Sequence, residues 1–126
     1  LYRRARFVVE ETARPLAMAA ALESGDLRAA GRLMDASHEG LRELYEVSSF
    51  ELDLITEIAR RRPGCFGARL TGAGFGGCAI ALVAGDRVGA FVDEVEAEYR
   101  ARVTLPGTVF PVRAEGGARL LSSAGR

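Results

Sequence analysis

Lysine is absent from this chain of 126 residues, so all 17 basic side chains are arginine. That excludes a Schiff-base lysine, a lysine nucleophile and a Walker-type Gly-Lys-Ser/Thr loop. Histidine occurs once and cysteine twice, too few for a dedicated zinc site, and no metal ligands are assigned. The 17 acidic residues cancel the basic ones and the pI is about 6.8, which leaves no electrostatic footprint for nucleic acid. No apolar run approaches the ~18 residues of a membrane span. No signal peptide precedes Cys65 and Cys78, and a reduced, cytoplasmic chain is expected. What is present is ordinary globular composition, 48% hydrophobic and 27% charged, at a length that suits one domain over residues 1–126. The chain opens on Leu1 with a helical pattern already running by Arg3, which reads as a fragment cut from something longer.

Phe7, Val9, Ala13, Leu16, Ala17, Ala20 and Leu22 recur at helical spacing and predict an amphipathic helix over about 3–24. Pro15 lies inside it and predicts a kink or two abutting helices. Gly25 supplies a left-handed C-terminal position and Asp26 a cap for a second helix, over 26–45, whose inward stripe is Leu27, Ala30, Met34, Ser37, Leu41 and Leu44. Ser48 with Glu51 has the form of a capping box, and Val47 with Leu52 that of a hydrophobic staple, opening a third helix over 49–62. Its last turn, Arg60-Arg61-Arg62, suits the helix dipole and is expected to be a solvated end before Pro63-Gly64. After Gly64 the period becomes two, predicting a strand over 66–71; an apolar run over 78–84 predicts a second, buried on both faces. Val88, Phe91, Val92, Val95 and Tyr99 mark a fourth helix over 86–103, and 108–112 an edge strand carrying Pro111. The Gly/Ser/Ala-rich tail over 115–126 is expected to fray. The order predicts an α+β, ferredoxin-like sandwich, with an antiparallel sheet that has helices on one face and lacks one strand.

One stretch carries chemistry. Thr71-Gly72-Ala73-Gly74-Phe75-Gly76-Gly77 places four glycines between two strands. Glycine there permits positive φ and lets backbone N–H groups converge into an anion-binding concavity. Gly72, Gly74 and Gly77 also satisfy G-x-G-x-x-G, but the dinucleotide fingerprint requires a helix to start directly after the loop. Here an apolar strand follows, so a Rossmann site is rejected. The alternative is a wide hairpin connection whose glycines serve only close backbone approach.

The run from Gly67 to Val83, GARLTGAGFGGCAIALV, resembles the third, C-terminal motif of the GHMP small-molecule kinases, in the form found in galactokinases. Leu33-Met34-Asp35-Ala36-Ser37-His38, then Leu41-Arg42, Tyr45-Glu46-Val47-Ser48-Ser49 and Glu51-Leu52-Asp53, is similar to the helical stretch preceding that motif. Gly25-Asp26-Leu27 and Gly116-Gly117-Ala118-Arg119 fit the same template, so the resemblance covers nearly the whole chain. Pro15, and Phe50 where the family often has proline, depart from it without touching the loop. The resemblance implies a C-terminal domain whose partner, a missing N-terminal domain, carries the catalytic residues, the principal phosphate loop and most sugar contacts. It implies ATP and Mg²⁺ as cofactors, galactose as substrate with phosphorylation at its C1 hydroxyl, and a loop Thr71–Gly77 that completes the ATP-phosphate side of the cleft. It further implies an isolated chain that does not turn over and an exposed interdomain surface able to pair in dimers. The competing expectation is a non-catalytic α+β module that binds a small anion or a partner protein.

Other residues have plainer roles. His38, the single histidine, sits beside an apolar stripe and is assigned to packing or capping. Arg69 is read as a sheet-surface arginine, Thr71 equally as a loop-edge donor or a strand end, and Cys78 as a small apolar residue of a buried strand. Tyr45 and Phe75 either frame a cleft or anchor core and loop.

Overall fold

The computed structural model describes residues 1–118. Four α-helices, α1 (Tyr2–Glu23), α2 (Leu27–Gly40), α3 (Phe50–Arg60) and α4 (Val88–Arg102), accompany two strands, β1 (Cys65–Thr71) and β2 (Cys78–Val83). The strands form one antiparallel hairpin in which Ala68 faces Ala81, Leu70 faces Ala79 and Thr71 faces Cys78, with an irregularity between Cys65 and Gly67. Leu54, Ile58 and Ala59 of α3 and Phe91, Val95 and Tyr99 of α4 close a core on Ala68, with Ala81 and Val83 packed against it. This is the expected α+β architecture with a narrower sheet. The strand expected over 108–112 does not form: Val109 packs on the core, while Phe110 and Val112 are exposed. Pro111 brings no ladder donor, so this segment contributes one side chain rather than a row of hydrogen bonds. The tail expected to fray lies from residue 119 onward outside the described residues.

Several local expectations are corrected. Pro15 lies within one helix from Tyr2 to Glu23, so of the two alternatives the pair of abutting helices is overturned. Of the α1 stripe, Phe7 is buried, as is Ala21 outside it, whereas Val9, Leu16 and Leu22 are exposed, because α1 packs mainly against α2 and the turn after it. The second helix ends its α-helical part at Gly40 and continues as a π-turn over Leu41–Tyr45, closed by Glu46 at φ 63°. The N-cap of α3 is Ser49, accepting from the Leu52 N–H at 3.3 Å, and not Ser48. β2 is exposed at Cys78 and Ile80 rather than buried on both faces, since the core packs against the opposite face, which carries Ala81 and Val83. The arginine run is solvated only at Arg61, which stays exposed while pairing with Glu98 of α4; Arg62 is half-buried against the same carboxylate, and Arg60 reaches Asp35 at 2.8 Å, Glu39 at 3.0 Å and the Ala68 carbonyl at 2.9 Å. Gly25, at φ 72°, and Asp26, accepting from Ala29 N–H at 2.9 Å, cap their helices as expected.

The free edge of β1 is closed by a helix. Gly31 of α2 and Gly67 of β1 meet backbone to backbone, and a Cβ on either would overlap main-chain atoms of the other element. One α2 face, residues 31, 35 and 38, then reads the strand edge. Asp35 Oδ1 accepts the Ala68 N–H at 2.9 Å and His38 Nδ1 accepts the Leu70 N–H at 3.1 Å. With the Ala68 carbonyl taken by Arg60, side chains satisfy a strand edge that would otherwise template a foreign strand.

Candidate functional site

The glycine loop leaves β1 at Thr71 and enters β2 at Cys78, strand to strand, with no helix between. Gly72 (φ 83°), Gly74 (83°), Phe75 (59°), Gly76 (127°) and Gly77 (94°) all adopt positive φ, so residues 72–77 are left-handed at every position but Ala73. Phe75 does so as a non-glycine residue, the kind of backbone strain that persists only where surroundings hold it. The surroundings here are Val47: its carbonyl accepts the Phe75 N–H at 2.6 Å, and a Cβ on Gly74 would overlap that same carbonyl. Among the described residues no acceptor is found for the N–H groups of Gly72, Ala73, Gly74, Gly76 and Gly77. The loop lines an open concavity of about 550 Å³ formed by Thr71 through Cys78 alone. Exposed, unpaired main-chain donors in left-handed backbone are what an oxyanion needs for recognition.

All seven residues singled out from the sequence, Thr71 to Gly77, are therefore brought together by one turn. Phe75 is exposed and points away from any core contact, while Tyr45 anchors α1, its ring 5.1 Å from that of Phe7. Arg69 bends its Nε onto the Leu70 carbonyl at 3.0 Å. Cys78 is exposed at the loop exit rather than buried, and the hairpin register holds it at the opposite end from Cys65. No described helix is long and apolar enough to cross a membrane.

Beneath the loop lie His38, expected only to pack or cap, and Ser48, expected as a helix cap, and nothing in the sequence connects either with the glycines. His38 is buried, and its two ring nitrogens are both used: Nδ1 accepts the Leu70 N–H, which leaves the proton on Nε2 facing Asp53 Oδ1 at 2.9 Å and Thr56 Oγ1 at 3.3 Å. Ser48, freed by the shift of the cap to Ser49, donates to the same Asp53 oxygen at 2.6 Å. Burial holds the imidazole below its ordinary value of 6.5, with the nearby Arg60 acting in the same direction and Asp53 and Glu39 opposing. A histidine neutral when folded but protonatable when unfolded makes the unfolded chain bind more protons as pH falls. Stability is then full above about pH 6.5 and declines on acidification below it. Urea midpoints between pH 6.5 and 5.5 are expected to fall for the wild-type chain and to fall less for His38→Gln; equal slopes would contradict this assignment.

Residues 18–101 match the family described as "GHMP kinases C terminal". The chain belongs to the GHMP kinases. This GHMP kinase domain is 44% identical over 121 residues to a galactokinase of Enterococcus faecalis and 47% identical over 119 residues to one of Streptococcus thermophilus. Those matches cover 96% and 94% of the chain but 31% of each relative, so the chain spans under a third of their length. Among solved structures it is similar to Lactococcus lactis galactokinase complexed with galactose (TM-score 0.77, 47% identity, 82% of this chain and 27% of that one). It is also similar to L. major mevalonate kinase in complex with R-mevalonate (TM-score 0.67, 35% identity, 75% and 28%).

Proposed function

We propose that this chain is the C-terminal part of a galactokinase, which transfers the γ-phosphoryl of Mg-ATP to the C1 hydroxyl of galactose. In this reading the loop Thr71–Gly77 forms one wall of the ATP-phosphate site. The observation that carries it is the set of unpaired loop amides held in left-handed backbone at an exposed rim. Phosphoryl transfer depends on positioning and on neutralising charge spread over the phosphoryl oxygens. A main-chain wall supplies N–H dipoles and shape, and its glycines offer no competing nucleophile. Residues 71–77 contain no carboxylate, so Mg²⁺ ligands and the proton acceptor for the sugar hydroxyl are assigned to the rest of the parent protein. Galactose is favoured over mevalonate by the higher identity to the galactokinases, 44% and 47% against 35%. The exposed Val9 and Leu16 of α1 are assigned to contact with that remainder or, in isolation, with a second copy.

The isolated chain and its parent polypeptide are compared by coupled ADP release with galactose and Mg-ATP. The parent is expected to turn over while the isolated chain stays at background. A rate from the isolated chain near that of the parent, or a parent that leaves galactose unphosphorylated, would overturn the assignment.

A further inference from the structure

The glycine loop is tied down at two points, and the two ties meet. At its stem the Leu70 N–H is held by His38 Nδ1 at 3.1 Å; at its tip the Phe75 N–H is held by the Val47 carbonyl at 2.6 Å. His38 Nε2 lies 2.9 Å from Asp53 Oδ1, and Ser48, the residue after Val47, donates to the same oxygen at 2.6 Å. A closed circuit results: Leu70, the loop to Phe75, Val47, Ser48, Asp53, His38 and back to Leu70. Its members come from α2, the segment before α3, α3 itself and β1, and its two halves are joined at one carboxylate oxygen of Asp53. Thr56, buried one turn along α3, bonds the Leu52 carbonyl at 2.9 Å and fixes the floor of the circuit.

We infer that Ser48, Asp53 and His38 are positioning residues that set the height and curvature of the glycine loop, and thereby the fit of its amides to the nucleotide phosphates. This rests on the function proposed above. Hydrogen bonds anchored at both ends of a ring constrain a strained loop more than two separate ones, because loosening either end frees the other. None of the three side chains is placed at substrate. Their effect runs through the main chain of residues 72–77.

The test uses the parent protein with Ser48→Ala, and Ser48→Thr as the variant that keeps the hydroxyl. Two readouts are taken: amide hydrogen exchange of the peptide spanning residues 70–78, and KM for ATP and for galactose separately. In Ser48→Ala, loss of the link that joins the two ties is expected to speed exchange at Phe75 about tenfold and raise KM for ATP about tenfold. KM for galactose should stay unchanged, and Ser48→Thr should restore both quantities. Unchanged exchange in the loop would overturn the circuit itself. Faster exchange without a change in KM for ATP would overturn its link to the nucleotide. Gly74→Val then separates the causes: if it raises KM for ATP, only this inference fails; if it does not, the loop assignment under the proposed function fails with it.

Discussion

Gly31→Ala is expected to destabilise the chain by about 3 kcal/mol, a large share of a small domain's stability. The added methyl overlaps the Phe66 carbonyl, and backbone cannot swing aside as a side-chain tip can. Helix and strand must separate, and the separation lengthens the hydrogen bonds that Asp35 and His38 make to the Ala68 and Leu70 amides. Gly67→Ala meets the Gly31 backbone from the other side and should cost a similar amount. Since the two lesions act on one contact, the double variant should cost less than their sum. Gly89→Ala is the control. It lies exposed in the first turn of α4 with nothing within 4 Å of the new methyl, and should be neutral or stabilise by less than about 0.5 kcal/mol through helix propensity. Thermal unfolding reads all four, with Gly31→Ala lowering Tm on the order of 10 °C. A Gly31→Ala midpoint within a degree of wild type would show that α2 does not rest on β1 as described.

Gly74→Val in the parent kinase is expected to lower kcat/KM for ATP about a hundredfold while leaving KM for galactose near wild type. Two effects coincide at this position. Valine is strained at φ 83°, and its Cβ overlaps the Val47 carbonyl that receives the Phe75 N–H. The loop must lift from Val47, carrying its amides away from any bound phosphate. Gly76→Ala supplies the contrast, because at φ 127° it is strained but its Cβ meets nothing within 4 Å. It should disturb the loop locally, with a smaller loss in kcat/KM. Wild-type kcat/KM for ATP in Gly74→Val would remove residues 71–77 from the nucleotide site.

Helices, hairpin and glycine loop were legible because each has a local signature. Phe91, Val95 and Tyr99 repeat at helical spacing, and Asp26 caps where a cap was expected. Four glycines between two β-patterned segments announce backbone in the left-handed region, which the loop adopts at all four. One departure falls where two local signals compete, and the others where coverage by a distant element decides. Ser48 and Ser49 both suit an N-cap, and only packing of the preceding turn chooses Ser49. The segment over 108–112 has strand residues, but Pro111 interrupts its row of donors, and the apolar run of β2 does not tell that among the described residues its Cys78 and Ile80 face is exposed. The α1 stripe was equally clear, yet apolar periodicity says which residues share a face and not whether another element covers it.

By itself the sequence determined the elements, the loop and the absence of lysine chemistry, because propensity, periodicity and composition act within a few residues along the chain. The tertiary structure alone decided that a glycine pair lets α2 close the edge of β1. It also decided that His38, Asp53 and Ser48 form one ring beneath the loop. The reason is physical: half of the partners in those contacts are backbone amides and carbonyls, which every residue carries alike and which no side-chain pattern can announce. Only the approach of segments tens of residues apart selects which of them are bonded.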